Sequence, residues 1–319
     1  MYRRKCFNKK DMNKNPLVSI IVVTYNSACF IVDTLESMKE QTYPNIELII
    51  SDDSSTDNTV DVCKEWFNKH KERFIRAEVV TSSVNTGIAG NFNRGIGVAR
   101  GEWIKTIGGD DALFPKLIEQ YIDYIREHPE VEFLHSKAVN YLEKFDEEYK
   151  MPSEDPKKAK INRPGLSPRE QYNILLRSTI VAAPTVMIKS SVFKKVGLFD
   201  EKYPMFEDTP MWLKITKNNI KLHFLDVMGA KYRVRKNSVI RTNTKEKFLT
   251  NFSMDRNKAL NDISLPYLPV YERILKSTAF RLNTFYYGLN NNSSLVKVLY
   301  KITTLPLMYI VHKINRGYR

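Results

Sequence analysis

Cysteine is scarce: Cys6, Cys29 and Cys63 are the three in 319 residues. An odd, widely spaced set excludes a disulfide framework and zinc-type spacing, and it points to a reducing compartment. Glycine is thin as well, and the turn from Thr24 to Phe30 has none. That excludes a G-x-G-x-x-G dinucleotide turn, and the sequence has no G-x-x-x-x-G-K-[ST] for a P-loop. No apolar run approaches the ~20 residues of a membrane-spanning helix. Met1 to Asn15 is basic and polar, unlike a secretory leader. Repeats and low-complexity tracts are missing. What remains, 42% hydrophobic and 27% charged, is the composition of an ordinary globular protein. The length allows one large domain or two modest ones.

Acid is what the C-terminal part lacks. Residues 231–319 hold 17 Lys/Arg against 4 Asp/Glu, and residues 1–14 hold 6 against 1. The middle holds 27 against 31, so a slightly acidic unit carries basic ends. Such ends suit an anionic partner: nucleic acid, an anionic membrane surface or a phosphorylated substrate.

After Pro16, Leu17–Thr24 is a near-continuous β-branched run, the pattern of a parallel strand buried on both faces. Ser27 can cap a helix from Ala28 to Gln41. Ile46–Ser51 is a second strand, and a helix to Lys69 follows Asp52–Asp57. Strands over Arg76–Thr81 and Glu102–Ile107 bracket a helix ending near Val98. This rhythm predicts a parallel α/β sheet. A helix from Pro115 to Glu127 and a strand over Val131–Ala138 follow. Asp146–Pro164 reads as a loop, Ser167–Arg177 as a helix, and Thr185–Ile188 as a strand. Asp208–Asn218 reads as a helix, Ile220–Leu225 and Ala230–Val234 as two strands, and the chain from Thr244 onward as helical.

Open α/β sheets bind ligands beyond the carboxyl ends of their strands. Four polar groups fall at such ends: Thr24-Tyr25-Asn26, Asp52-Asp53, Asn85-Thr86-Gly87 and Asp110-Asp111. Singly, each also reads as a turn, a cap or a packing residue. Together they point to one shared site. Gly108-Gly109-Asp110-Asp111 is the most pointed, because glycines admit close backbone approach and paired carboxylates suit a hard divalent cation.

Val18–Asn26 and Gln41–Asp57 together resemble the start of a family 2 glycosyltransferase. Asn85-Thr86-Gly87-Ile88-Ala89, Asn93-Arg94-Gly95 and Gly101-Glu102-Trp103-Ile104 continue the match, and Phe206–Trp212 resembles that family's Glu-Asp motif. The resemblance covers about residues 16–240. It implies a GT-A fold, a mostly parallel sheet flanked by helices, here with a helical C-terminal extension. It also implies a nucleotide-diphospho-sugar donor, with a UDP-sugar favoured, a divalent metal (Mn2+ or Mg2+) and inversion at the anomeric carbon.

Position by position, the resemblance makes Thr24, Tyr25, Asn26, Asn85, Gly87 and one or both of Asp52 and Asp53 donor-binding. Asp110 and Asp111 stand where the family holds ribose and metal. A glycine, Gly108, stands where the family often has another carboxylate. Asp208 is the expected general base, with Glu207 and Trp212 toward the acceptor. Arg233 and Arg235 lie in a segment, Tyr232–Ser238, expected to close over the diphosphate, with Arg235 where a His is common. His135 and His223 read as strand residues, and Trp66 and Trp103 as packing residues.

The expected organisation is a basic extension (1–15), a GT-A domain (16–240) and a helical basic region (241–319). The domain divides into a nucleotide-sugar half (16–112) and an acceptor half (113–240). Leu295, Val298, Leu299, Ile302 and Leu305 recur at helical spacing beside Lys297 and Lys301, which suits an interfacial helix or one packed back on the core. The expected role is hexosyl transfer to a glycan or lipid-linked glycan in bacterial surface polysaccharide synthesis. The expected place is the cytoplasm, at the inner face of the membrane, with no nucleic acid bound. Two rival readings stand beside it: a nucleic-acid-binding protein using the basic ends, and a catalytically impaired GT-A relative.

Overall fold

The computed structural model describes residues 15–152, 159–178, 181–235, 250–289 and 293–316. Strand β1 (Val18–Thr24), helix α1 (Ile31–Lys39), β2 (Ile46–Asp52), α2 (Thr59–His70), β3 (Arg76–Thr81), α3 (Gly87–Val98) and β4 (Trp103–Gly108) alternate along the first hundred residues. Then come β5 (Ala112–Leu113), α4 (Leu117–Glu127), β6 (Phe133–Leu142), α5 (Pro168–Leu175), β7 (Met187–Lys189), α6 (Ser190–Val196), α7 (Asp208–Lys217) and β8 (His223–Val234). Four helices end the chain: α8 (Asn251–Ile263), α9 (Val270–Leu289), α10 (Ser294–Thr303) and α11 (Leu305–Arg316).

One eight-stranded sheet runs β3-β2-β1-β4-β7-β6-β8-β5. The pairs β3–β2, β2–β1, β1–β4 and β6–β8 are parallel, whereas β7 and β5 pair antiparallel. Helices cover both faces, which is why β1 and β2 are buried along their whole length. Val18, Ile20 and Val22 face α1, α2 and α4 in one core, while Ile21 and Val23 face α3 and α7 in another. Ser19 lies buried on the second face, and its hydroxyl bonds the buried Glu47 carboxylate. Glu47 also pairs with Arg76 at 2.5 Å and accepts the Arg100 N–H at 2.9 Å. This network closes the edge opposite the acidic strand ends.

Several expected elements shift. Phe30, not Ser27, caps α1, because Ser27 turns its hydroxyl back to the Tyr25 carbonyl. The two strands expected over Ile220–Val234 are one strand, β8, with a register shift opposite Lys137. Helix α6 was not anticipated, since seven residues with no polar cap carry little periodic signal. Ser167 closes a capping box with Glu170 at the start of α5. No single described helix is long and apolar enough to cross a membrane, although α10 and α11, bent 43° to each other, meet that length and composition together.

Candidate active site

The β1–α1 and β2–α2 turns are stitched together. Asn26 adopts φ 48°, and its amide oxygen accepts the Thr56 N–H at 2.8 Å, while its own N–H donates to the Ser55 hydroxyl. Asn26 thus works as a staple between turns. Beside it Tyr25 is 46% exposed, its ring standing out over the strand ends.

Asp52 and Asp53 sit at one strand end but do different things. Asp53 accepts the Thr86 and Gly87 N–H groups on one oxygen, and the Thr86 hydroxyl and Arg94 guanidinium on the other. A carboxylate offers about four acceptor positions, so Asp53 is filled. It anchors the first turn of α3, where the helix end also favours a negative charge. Asp53, expected with Asp52 at the donor, thus also holds the start of α3. Asp52 accepts Thr24 and Ser55 hydroxyls on one oxygen and only the Ser55 N–H on the other, which leaves one position open.

Gly87 has φ +78°, and a Cβ there would lie 2.5 Å from Pro204 Cβ. The Asn85 amide oxygen also accepts the Gly87 N–H, so Asn85 shapes the turn. Pro204 in turn accepts the Ala89 N–H, and Asn93 bonds the Phe199 backbone and Glu201. The segment 199–204, just before α7, is therefore laid along α3.

Asp110 and Asp111 lie where β4 ends. Asp111 is buried, and its Oδ1 accepts the Arg233 N–H of β8 at 2.9 Å. Asp110 Oδ2 pairs with Arg235 at 3.0 Å. Over Gly108, a Cβ would stand 3.0 Å from Asp110 Oδ1 and 3.8 Å from Asp111 Oδ2. The missing side chain therefore leaves a space that one oxygen of each carboxylate borders. Burial, then the charge of Asp110, pushes the Asp111 carboxyl well above the usual carboxylate range. Among the described residues no three His, Cys, Asp or Glu side chains converge as a ready metal site.

The Arg233 guanidinium bonds the Asp110 carbonyl, the Glu143 carbonyl and Asp33, and it lies buried 3.9 Å from the Phe145 ring centroid. With these partners it clamps Asp110-Asp111 to β8, its guanidinium engaged by three protein oxygens. Arg235 is the half-buried one, over Phe30. Residues 236–238 of that expected closing segment lie outside the described residues.

Glu207 caps α7 and Asp208 begins it. Burial raises Asp208 to about 6, against a hydrogen bond from Glu207 that lowers it. Burial, then the Asp208 charge, holds Glu207 well above the usual range. Burial therefore makes both carboxyls of this adjacent pair harder to ionise than a free one. Trp212 does not reach this pair's ligand side. It is 2% exposed and packs edge-on to Phe133 at 5.0 Å, because its place one turn into α7 faces the core. That corrects its expected acceptor role. Trp103 and His135 are core residues as expected, and burial pulls His135 down to about 3.

Lys105, Asp33, Phe30 and Arg94 also join the site, although none stands at a strand-end motif. Lys105 is fully buried in β4, donates to the Thr106 and Pro184 carbonyls, and is drawn down to about 7 by burial, against the Asp111 charge. A lysine inside an apolar strand run was its visible signal. A cleft of about 680 Å³ borders Arg233 between Phe30, Asp33, Phe114 and Phe145.

Acidic strand ends on a parallel half-sheet, with an antiparallel-linked half completing it, define the GT-A class of α/β transferases. Residues 19–197 match Glycosyl transferase family 2, more than half of the chain, and the protein belongs to that family. It is 31% identical over 230 residues to the Escherichia coli UDP-Glc:alpha-D-GlcNAc-diphosphoundecaprenol beta-1,3-glucosyltransferase WfaP, covering 72% of this chain and 82% of that one. It is 27% identical over 228 residues to glycosyltransferase GlyG of Streptococcus pneumoniae, covering 71% and 73%. The fold is similar to S. aureus TarS 1-349 in complex with UDP-GlcNAc, with TM-score 0.59, 20% identity and coverage of 84% and 72%. It is also similar to the mannosyltransferase PcManGT from Pyrobaculum calidifontis in complex with GDP-Man and Mn2+, with TM-score 0.52, 16% identity and coverage of 95% and 72%.

Proposed function

We propose that this family member is an inverting hexosyltransferase. It moves a sugar from a nucleotide-diphospho-sugar, UDP-linked by preference, to a glycan hydroxyl. The observation that carries the reading is the adjacent Glu207–Asp208 pair at the start of α7, where burial raises both carboxyls and brings Asp208 to about 6. That value suits a general base at neutral pH.

Tyr25 offers an exposed ring for the base to stack on, and Asp52 keeps one acceptor position for a base or ribose donor. Arg235 stands beside Asp110, where a diphosphate would meet a guanidinium. The donor set fits a divalent cation, because Asp110 Oδ1 and Asp111 Oδ2 border the Gly108 space while their other oxygens are held from β8. Two protein oxygens leave the remaining positions to phosphate and water. Such an ion, Mn2+ or Mg2+, neutralises charge on the departing diphosphate. Asp208 accepts the proton of the acceptor hydroxyl as its oxygen bonds to the anomeric carbon. The bond from that carbon to the diphosphate breaks on the opposite face, so configuration inverts. Glu207 keeps Asp208 hydrogen-bonded and borders the acceptor.

The WfaP likeness supports a UDP-sugar and a lipid-linked glycan in surface polysaccharide synthesis, and hence work at the cytoplasmic face of a membrane. The C-terminal helices support that placement. Residues 273–319 contain no Asp or Glu, and Leu295, Val298 and Ile302 on α10 and Tyr309 on α11 are exposed. Apolar side chains beside lysines suit an anionic interface. Flotation with anionic liposomes checks this: the full chain should float and a chain cut at residue 289 should not. Equal recovery of both in the soluble fraction refutes it.

A panel of nucleotide sugars, with and without Mn2+, tests the main reading by thermal shift and by donor hydrolysis. One donor should stand out and lose its effect on chelation. Retention on DNA without any nucleotide-sugar binding overturns it.

A further inference from the structure

A cavity of about 300 Å³ lies between the end of α5 and helices α8, α9 and α11, apart from both acidic pairs. Four buried oxygens on its lining residues have no hydrogen-bond partner: Ser178 Oγ, Ser264 Oγ, Asn283 Oδ1 and Asn315 Oδ1. Ser178, Ser264 and Asn283 are at most 6% exposed. Buried polar atoms are nearly always partnered, so four unmet ones around one cavity are unusual.

The charge is equally one-sided. Arg177, Arg256 and Lys276 line the cavity, and among the described residues no Asp or Glu does. Glu272 lies behind, fully buried, and is shared by Arg177 at 2.9 Å and Lys276 at 3.7 Å. One carboxylate thus faces two cations. The rest of the lining is mixed: Leu260, Phe280, Met308 and Val311 make one apolar part, and Asn257, Asn261 and His312 add polar groups.

We propose that this cavity binds a phosphate group carried on an apolar chain. The hydroxyls of Ser178 and Ser264 and the ammonium of Lys276 donate to the phosphate oxygens. The Asn283 amide does so once turned, since its two ends are interchangeable in shape. A phosphate has more terminal acceptors than a carboxylate, which suits this many donors. A neutral sugar would offer the Lys276 ammonium no charge beyond the Glu272 carboxylate that it shares with Arg177. The chain lies against Phe280 and Met308, toward the exposed apolar helices α10 and α11. Burial already draws the Lys276 ammonium below its ordinary value, against the Glu272 charge, and an anion would relieve that.

The cavity also touches the catalytic segment through one helix. Arg256, Leu260 and Ser264 share the cavity side, at helical spacing of four. Asp255, Ala259 and Asp262 face the other way. There Asp255 accepts the Met205 N–H at 2.9 Å, Asp262 pairs with Lys202 at 2.7 Å, and Ala259 packs with Tyr203 and Phe206.

Calorimetric titration of the full chain tests the site without any donor sugar, so its outcome is separate from the transfer reading. The probes are decyl phosphate below its micelle concentration, inorganic phosphate and decyl glucoside. Decyl phosphate should bind at one site, and the other two roughly tenfold or more weaker. Lys276→Gln should weaken decyl phosphate about tenfold while UDP binding holds. Ser264→Ala should weaken it several-fold yet leave the ligand-free thermal midpoint equal or higher, because an unmet hydroxyl is removed. No binding of decyl phosphate overturns the site. Inorganic phosphate binding as tightly overturns the apolar chain, and decyl glucoside binding as tightly overturns the phosphate. Unchanged affinity in both variants overturns the assignment to this cavity.

Discussion

Asp208→Asn is the sharpest perturbation of the site. Asparagine keeps the shape and still accepts the hydrogen bond from Glu207, but it cannot take a proton. A positioned general base is worth about 10²- to 10⁴-fold, or roughly 3–5 kcal/mol of barrier. Turnover should fall by that much, while UDP affinity, set at the β1 and β2 ends, stays. The wild-type pH profile should carry the same signature. With Asp208 near 6, about nine-tenths is carboxylate at pH 7 and about one-tenth at pH 5. Rate should therefore rise about tenfold per pH unit below 6 and level above it. Stability should move the other way. The folded value lies above the unfolded one, so folding is favoured most at low pH and loses that favour as pH rises toward 6. A permanently neutral Asn escapes that loss, so the variant should melt higher than wild type at pH 7. Single-turnover transfer, UDP titration and thermal melts measure the three. Turnover within tenfold of wild type, with the acid limb intact, would refute the base assignment.

Three further outcomes follow from the same geometry. Asp111→Asn still accepts the Arg233 N–H, so the fold should persist while the Mn2+-dependent part of UDP binding is lost, read by titration with and without chelator. Gly87→Ala combines φ +78° with a 2.5 Å contact to Pro204, and denaturant unfolding should show a loss of about 1–3 kcal/mol. Arg94→Met leaves the buried Asp53 without its cation, and the same assay should show roughly 3 kcal/mol lost.

Much of the parallel half was legible because its strands are buried on both faces. Val18–Thr24 and Ile46–Asp52 read as mostly β-branched apolar runs, interrupted by Ser19 and Glu47, and few other structures produce them. The site was legible as strand-end polar groups, but not the direction in which each points. Asp52 and Asp53 are identical in sequence terms, and only the fold shows that Asp53 is filled by the first turn of α3. Arg233 and Arg235 are two residues apart and would share a face on one strand, but β8 ends at Val234, so Arg233 turns onto Asp33 while Arg235, past the strand end, reaches Asp110. Trp212 shares the helix face of Asp208 one turn further on, but there that face has already entered the core against Phe133. Lys105 shows the converse: a buried charge whose partners lie about eighty residues away cannot be read from its neighbours.

The close approach of Pro204 to Gly87 has a consequence for building chimaeras. In sequence, a natural crossover point lies near residue 112, between the strands that carry the acidic ends and the rest. Mechanically the split falls elsewhere. Residues 199–204 are fastened to α3, so Asp208 takes its position from the nucleotide side of the molecule. A hybrid joined at 112 would inherit its base from one parent and the helix that aims it from the other. Exchanging α3 together with 199–208 keeps both from one parent, and acceptor preference can then be varied in the segments outside them.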